Sequence, residues 1–265
     1  MAAEPRSLYF RLNVRGTRKP VRRPIALPFA GILALTAAVP LAASAQSGQF
    51  VVALNGHNVG SASTNFVSTP QGYQSSSVVH VAMQGLDYEL SKNERLTPAN
   101  ELRHVMLSAV INKEAVTVVG APDSAQMLLN FSANGRSTTT RLPAHAVSVF
   151  MPDFDPGALE TLLALAAEHN NRGLWAIIPK KSGSQMGSVE PIQLATYADQ
   201  QGTLNGKPIT VHHLVATISG TNTDLFTGPE NRLLQAELPE EGFALVRKGF
   251  VLKPPAKPAA PPASE

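Results

Sequence analysis

Alternating apolar and polar residues predict β-strands along most of the chain between residues 49 and 252. In the segment 73–83, Val79, Val81 and Met83 fall on one face, which is the two-residue period of a half-buried strand. The same alternation recurs along the sequence. We expect strands over 49–54, 59–68, 73–83, 102–111, 115–119, 127–131, 136–141, 145–150, 174–178, 192–198, 209–218, 232–238 and 243–252.

Short turn sequences separate these predicted strands. Asn-Gly pairs begin at Asn55, Asn134 and Asn205, and this dipeptide favours two-residue hairpin turns. Residues 180–188 are rich in Ser, Gly and Lys, which is typical of a mobile loop. Frequent turns of this kind predict an antiparallel meander.

One segment departs from the alternating pattern and predicts a helix over 156–169. Asp155 suits the N-cap and Pro156 the first helical position. Leu165 and Ala167 lie off the apolar stripe, so we expect them to be more exposed or to contact a second surface. The stripe itself consists of Leu159, Leu162, Leu163 and Ala166.

Many strands and one helix predict a mainly β fold. We expect an antiparallel meander curled into an open barrel or half-barrel, with the amphipathic helix packed on its concave face. A βαβ fold would need helices that alternate regularly with strands. The concave side is the largest apolar surface available to the helix, where it would act as a plug or as a lid; we favour the plug.

The N-terminal segment predicts export. Residues 1–23 are basic, residues 25–41 are apolar, and Ala43-Ser44-Ala45 has the small residues that a signal peptidase recognises. We therefore expect a signal peptide over 1–45, cleavage after Ala45, and a periplasmic or secreted protein. The alternative is an uncleaved leader, which would be the protein's only contact with a membrane. The body would be one domain over 46–252, followed by a disordered Pro/Ala-rich tail over 253–265.

Composition and charge exclude several classes. The chain has 265 residues, of which 43% are hydrophobic and none is cysteine, so disulfide scaffolds, zinc-thiolate sites and thiol nucleophiles are excluded. The net charge of +3 comes from the leader, because the remainder holds 15 basic and 18 acidic residues. No basic cluster follows Arg23, so we expect no nucleic-acid partner.

Recognisable catalytic motifs are missing from the sequence. It contains no G-x-S-x-G, no phosphate-binding loop and no H-E-x-x-H, and we expect no catalytic residue, metal or cofactor to be identifiable. His212 and His213 are adjacent on a predicted strand, so they point to opposite faces and cannot hold one ion together. Acids that could still serve a scattered hydrolytic site are Asp87, Glu89, Glu190, Asp199 and Asp224.

Three aromatic residues and one histidine are the candidate ligand-binding residues. Trp175, Tyr197 and Phe226 could line an apolar pocket, and His212 could contribute a polar contact. The alternative is structural: the rings pack in the core or at its edge, and the inward histidine is a hydrogen-bonded wall residue.

The order of these segments resembles the open β-barrels of the LolA type and similar bacterial periplasmic domains. The likeness lies in the leader, the meander with its Leu54-Asn55-Gly56 hairpin, the lone helix, and the passage 225–246 with Asn231-Arg232-Leu233-Leu234-Gln235-Ala236-Glu237-Leu238-Pro239. The resemblance covers most of 49–252 in architecture. It implies that a lipid or another apolar group binds in the barrel and that the helix shields it.

Three functions follow from these observations. The first is a non-catalytic binding protein of the bacterial cell envelope for a lipid or other apolar small molecule. The second is an envelope interaction module that binds a protein partner through sheet edges and the tail, without an interior cavity. The third is a hydrolase whose carboxylates or His–Asp pair meet only in the fold.

Overall fold

Seventeen β-strands and one α-helix make up residues 46–182 and 185–253, which are the residues that the computed structural model describes. The predicted signal peptide and residues 254–265 of the predicted tail lie outside them. The mainly β class is therefore confirmed. The strands before the helix are β1 (Gln46–Leu54), β2 (His57–Thr69), β3 (Gly72–Met83), β4 (Leu86–Leu96), β5 (Leu102–Ile111), β6 (Glu114–Asp123), β7 (Gln126–Ala133), β8 (Arg136–Pro143) and β9 (Ser148–Phe150).

The helix α1 (Pro156–Glu168) interrupts the strands once, and the chain then returns to β structure. A 3₁₀ turn (Pro229–Asn231) precedes β15. The strands after the helix are β10 (Leu174–Ser182), β11 (Gln185–Thr196), β12 (Gln200–Leu204), β13 (Lys207–Ile218), β14 (Thr221–Thr227), β15 (Leu233–Leu238), β16 (Phe243–Arg247) and β17 (Phe250–Leu252).

The strands form one long sheet that curls without closing. Strands β1 to β8 follow each other as an antiparallel meander, from β8 at one edge to β1 in the middle. There β1 pairs with β16, and the sheet continues through β15, β14, β13, β11 and β10 to β9. The β9–β10 pair is parallel. This arrangement agrees with the predicted open meander.

A small branch extends from the long strand β13. The first half of β13 pairs with β12, which in turn pairs with β17, whereas its second half pairs with β11 and β14. The branch covers a second, smaller core of Val211, Phe226, Leu234 and Phe250. The main core lies on the concave side of the sheet and includes α1.

The helix begins as its sequence predicts and packs on the concave face of the sheet. Asp155 has extended backbone angles, and its Oδ1 accepts a hydrogen bond from the Gly157 amide at 2.9 Å. The helix contacts β2, β3, β9 and β15. At its N-terminus, a Cβ on Gly157 would lie 3.2 Å from Ser75 Oγ, so glycine permits the close approach to β3.

The burial of the helix extends beyond the predicted stripe. Ala167 is exposed, which is one of the two expected outcomes. Leu165 is fully buried, so of its two expected outcomes, exposure and contact with a second surface, the first is wrong. The reason is that the sheet curls around α1 and offers apolar surface on more than one side. The helix therefore has the contacts of a plug.

Other differences concern strands that the alternating pattern did not reveal. The predicted loop over 180–188 is wrong for its described residues, because β10 runs to Ser182 and β11 starts at Gln185. Strands β12 and β14 carry mostly polar residues and were not predicted. Strand β4 was also missed, because Lys92 and Glu94 occupy inward positions that usually hold apolar residues.

Candidate functional site

A cavity of about 640 Å³ opens at the end of the barrel where the β3–β4, β5–β6 and β15–β16 hairpins turn. This volume lies within the range of about 300–1,000 Å³ that is typical of small-molecule pockets. Alternate residues of three neighbouring strands form one wall, because every second side chain points to the concave face. These are Leu86 and Tyr88 on β4, Leu107, Ala109 and Ile111 on β5, and Val116 and Val118 on β6.

The segment between β9 and α1 forms a second wall of this cavity. The Met151 amide donates a hydrogen bond to the Ile177 carbonyl at 2.8 Å, which continues the β9–β10 pairing into the segment. Pro152 and Phe154 follow and also line the cavity. Phe154 has φ of 58°, an unfavourable backbone conformation for a bulky residue, so surrounding contacts must hold it in place.

Three aromatic rings meet on the cavity wall. The Phe154 ring packs edge-on against Tyr88, with centroids 6.1 Å apart, and against Phe243 of β16, with centroids 4.9 Å apart. The Tyr88 hydroxyl donates a hydrogen bond of 3.3 Å to the Asp153 carbonyl. Burial, followed by the negative charges of Asp153 and Asp155, raises the pKa of Tyr88 well above its ordinary value, so this hydroxyl stays protonated.

Charged side chains stand at the mouth of the cavity. Asp153, Lys180, Glu240 and Glu241 line it and are exposed. Desolvation of the carboxyl raises the pKa of Asp153 to about 6; the positive charge of Lys180 opposes the shift and the negative charge of Glu241 adds to it. The pKa of Asp153 therefore responds to a cation and to a second carboxylate of the mouth.

A buried ion cluster fixes the chain directly after this wall. Lys92 Nζ lies 2.5 Å from Asp155 Oδ2 and 3.0 Å from Glu94 Oε2, and all three side chains are inaccessible to solvent. Burial disfavours the charge of Lys92, but Asp155 and Glu94 outweigh it and raise the pKa of Lys92. Burial also raises the pKa of Glu94 to about 7, against the effect of Lys92. The cluster ties the N-terminus of α1 to β4.

Hydroxyl groups surround this ion cluster on the neighbouring strands. Ser77 pairs with Lys92 and with Thr64, and Ser75 pairs with Glu94. Among the described residues, the Thr64, Ser75 and Ser77 hydroxyls are buried without a hydrogen-bond partner. The concave face therefore changes from apolar at the cavity to polar beneath the start of α1.

A smaller, more polar depression of about 290 Å³ lies elsewhere on the barrel. Phe66 and Tyr73 stack in its wall with centroids 5.2 Å apart, and Glu160 of α1 also lines it. Glu160 Oε1 accepts a hydrogen bond of 2.7 Å from Arg247 Nη2. Burial raises the pKa of Glu160 to about 7, although Arg247 opposes the shift.

None of the four predicted ligand-binding residues lines the large cavity. Trp175 is half-buried on β10 and stacks on His145, with centroids 3.7 Å apart. Tyr197 is 54% exposed, and Phe226 is buried in the second core. His212 is exposed and its Nδ1 lies 2.8 Å from Asp199 Oδ1.

Tyr197 and Phe226 nevertheless come together around the neighbouring histidine, His213. The His213 ring stacks on Phe226, with centroids 4.7 Å apart, and lies 5.1 Å from the Tyr197 ring. His213 Nε2 lies 2.7 Å from Asp224 Oδ1. Sequence reasoning assigned the site role to His212, whereas His213 is the less exposed member of the pair.

The described residues form neither a metal-binding cluster nor a membrane-spanning helix. Across 46–182 and 185–253, no three histidine or acidic side chains come together in a way that could hold a metal ion. No helix within these ranges is long and apolar enough to cross a membrane.

The cavity-lining residues were visible in the sequence only as core positions. The alternating pattern predicted a strand over 102–111, but alternation does not distinguish a face that packs from one that borders a cavity. Asp153 and Phe154 directly precede the predicted helix cap. Only the fold shows that Phe154 lines the wall of the cavity and that Asp153 lies at its mouth. Comparison with known proteins adds no assignment: no family model, no curated protein and no solved structure matches the chain.

Proposed function

We propose that this protein is an exported, non-catalytic binding protein of the bacterial cell envelope that holds a lipid or another apolar ligand in the large cavity. The observation that carries the proposal is the cavity itself, about 640 Å³ in volume with apolar walls on β4, β5 and β6. An apolar chain bound there would remove its own surface and that of the cavity walls from water. This burial contributes a favourable free energy of about 25 cal/mol per Å² of apolar area.

The construction of the cavity supports binding rather than simple core packing. A core of this size is normally close-packed, with few voids larger than a water molecule. Here Leu107 and Val118 belong to the main core and also line the open cavity. The helix fills the adjacent part of the concave face, so the cavity is the part of the barrel that α1 does not occupy. The predicted leader and the resemblance to LolA-type barrels favour the same function.

Titration with an apolar fluorescent dye tests the proposal. The dye should bind the delipidated protein saturably, and Ala109→Phe should lower its affinity at least tenfold by filling the cavity. Ala115→Phe is the matched control, because Ala115 is exposed on the neighbouring strand β6 and should leave the affinity within twofold.

Denaturant unfolding of the same variants shows whether they fold. Ala109→Phe should retain cooperative unfolding, since open space can accept the ring. Saturable binding that is unaffected by Ala109→Phe would place the dye elsewhere and contradict the proposal. Mass spectrometry of an organic extract from the purified protein would identify a co-purified ligand.

A further inference from the structure

The mouth of the cavity carries a net negative charge. Its exposed charged residues are three carboxylates, Asp153, Glu240 and Glu241, and Lys180 is the one cation among the described residues that line the cavity. Opposite charges attract and like charges repel across such an entrance. A ligand whose head lies at this mouth is therefore selected for positive charge.

Three aromatic rings line the same cavity as these carboxylates. Phe154 follows Asp153 in the chain, and its ring is in edge contact with Tyr88 and Phe243, so three rings line one region of the cavity. The faces of aromatic rings attract cations, and groups of such rings recognise quaternary ammonium ions. The rings and the carboxylates together thus favour an ammonium head group over a neutral or an anionic head group.

The deeper walls have a different chemistry. Leu107, Ala109 and Val118 are buried and apolar. A free cation would gain nothing from these walls, and an uncharged hydrocarbon would gain nothing from the rim. An amphiphile with an ammonium head satisfies both parts at once.

We propose that the ligand of the cavity is an amphiphile that carries an amine or quaternary ammonium head on an apolar chain. This inference rests on the proposed function and names the ligand class for the same site. The chain lies against β4, β5 and β6, and the head lies between the Tyr88, Phe154 and Phe243 rings and the carboxylates of the mouth. A choline-headed lipid and a simple cationic amphiphile share this chemistry.

Displacement of the bound dye by amphiphiles of equal chain length tests the inference. The probes are dodecyltrimethylammonium, dodecyl sulfate, dodecyl maltoside and dodecylphosphocholine, each at low salt and below its micelle concentration. The trimethylammonium probe should bind at least tenfold more tightly than the sulfate. Phosphocholine binding equal to that of trimethylammonium would indicate a choline-headed lipid, and weaker binding would indicate a cation without a phosphate.

Variants of the mouth separate charge from ring contributions. The double variant Glu240→Gln/Glu241→Gln should reduce the preference for trimethylammonium over sulfate at least fivefold, and both residues are exposed, so folding should be unaffected. Phe154→Leu should weaken trimethylammonium binding more than maltoside binding, because only the ammonium head is attracted by the ring face. Glu89→Gln, which removes an exposed carboxylate of β4 outside the cavity, is the control and should change neither ratio.

The possible results distinguish the two proposals. If the maltoside displaces the dye but the sulfate binds as well as the trimethylammonium probe, the inference is overturned and the apolar site stands. If no amphiphile displaces the dye, or if the dye does not bind, the result contradicts the proposed function itself. Loss of all binding in Phe154→Leu with a normal Glu240→Gln/Glu241→Gln preference would exclude the charged rim as the selective element.

Discussion

Lys92 Nζ lies 2.5 Å from Asp155 Oδ2, and this buried ion pair joins strand β4 to the residue that caps helix α1. The other oxygen of the same carboxylate accepts a hydrogen bond from the Gly157 amide. The Asp155 side chain, which directly follows the cavity wall in the chain, therefore caps helix α1 and neutralises the buried ammonium of Lys92. Its position makes the cluster important both for stability and for the shape of the cavity.

Lys92→Met should be strongly destabilising, because it leaves Glu94 and Asp155 buried without a counter-charge. We expect a loss of about 3–5 kcal/mol in the free energy of unfolding, measured by urea denaturation at pH 7. Lys207→Met, at an exposed hairpin, is the control and should change stability by less than about 0.5 kcal/mol. A Lys92→Met protein as stable as the parent would show that the cluster does not determine stability.

Stability should fall as the pH rises from about 4.5 to 7. Burial raises the pKa of Glu94 from its ordinary 4.5 to about 7, so the folded protein retains a proton that the unfolded chain releases within this window. The stability that Glu94 contributes is fully present below pH 4.5 and is lost as the pH rises through 7. Glu160, whose pKa burial also raises to about 7, adds to the same trend.

Glu94→Gln checks this explanation. The variant should remove the Glu94 share of the pH dependence, about 2–3 kcal/mol between pH 4.5 and 7.5, in denaturant titrations at several pH values. Glu89→Gln alters an exposed carboxylate of the same strand and should leave the dependence unchanged. An unchanged slope in Glu94→Gln would mean that this carboxyl is already ionised at low pH.

The stability of the protein should be sensitive to substitution of Leu165, which lies off the apolar stripe that the sequence predicts for helix α1. Leu165 is completely buried, so Leu165→Ala should cost about 2–5 kcal/mol in the free energy of unfolding. Ala167→Ser lies two residues away at an exposed position and should cost less than about 0.5 kcal/mol. Equal effects of the two substitutions, measured in urea, would contradict the plug arrangement.

Binding of the trimethylammonium probe should weaken as the pH falls through about 6. The reason is that the Asp153 carboxyl, whose pKa burial raises to about 6, becomes neutral and the mouth loses a negative charge. The positive charge of Lys180 opposes this protonation and the negative charge of Glu241 promotes it. Dye displacement from pH 5 to 8 measures the effect, and Asp153→Asn should abolish it. Tighter binding at pH 5 than at pH 7 would contradict the assignment.

The fold was predictable where local patterns and tertiary packing agree. Alternation identified β3 and β5, and the Asp155-Pro156 pair identified the start of the helix, because caps and periodicity depend on neighbouring residues. Strand β4 was missed because Lys92 and Glu94 are charged at inward positions, and their compensation by Asp155 comes from a distant part of the chain. The local sequence pattern does not indicate which distant residue will neutralise a buried charge.

The candidate site was less predictable for the same reason. Trp175, Tyr197 and Phe226 were chosen because they are large and aromatic, but a cavity is defined by space that no residue fills. Tyr88, Phe154 and Phe243 come from three separated segments, and only the curl of the sheet brings their rings together. The strained φ of Phe154 has no signal in the sequence.

The pairing of β1 with β16 has a consequence for the order of folding. Phe50 stands opposite Arg247, so the first described strand finds one of its two neighbours only after almost the whole domain has been made. Strands β2 to β8 can assemble from contacts between successive hairpins, whereas joining the two halves requires closure of a very long loop. During synthesis one edge of β1 therefore stays unpaired until β16 has been made. The nascent chain would be vulnerable to aggregation at that edge until β16 is available, and a holding factor that keeps the chain extended would protect it.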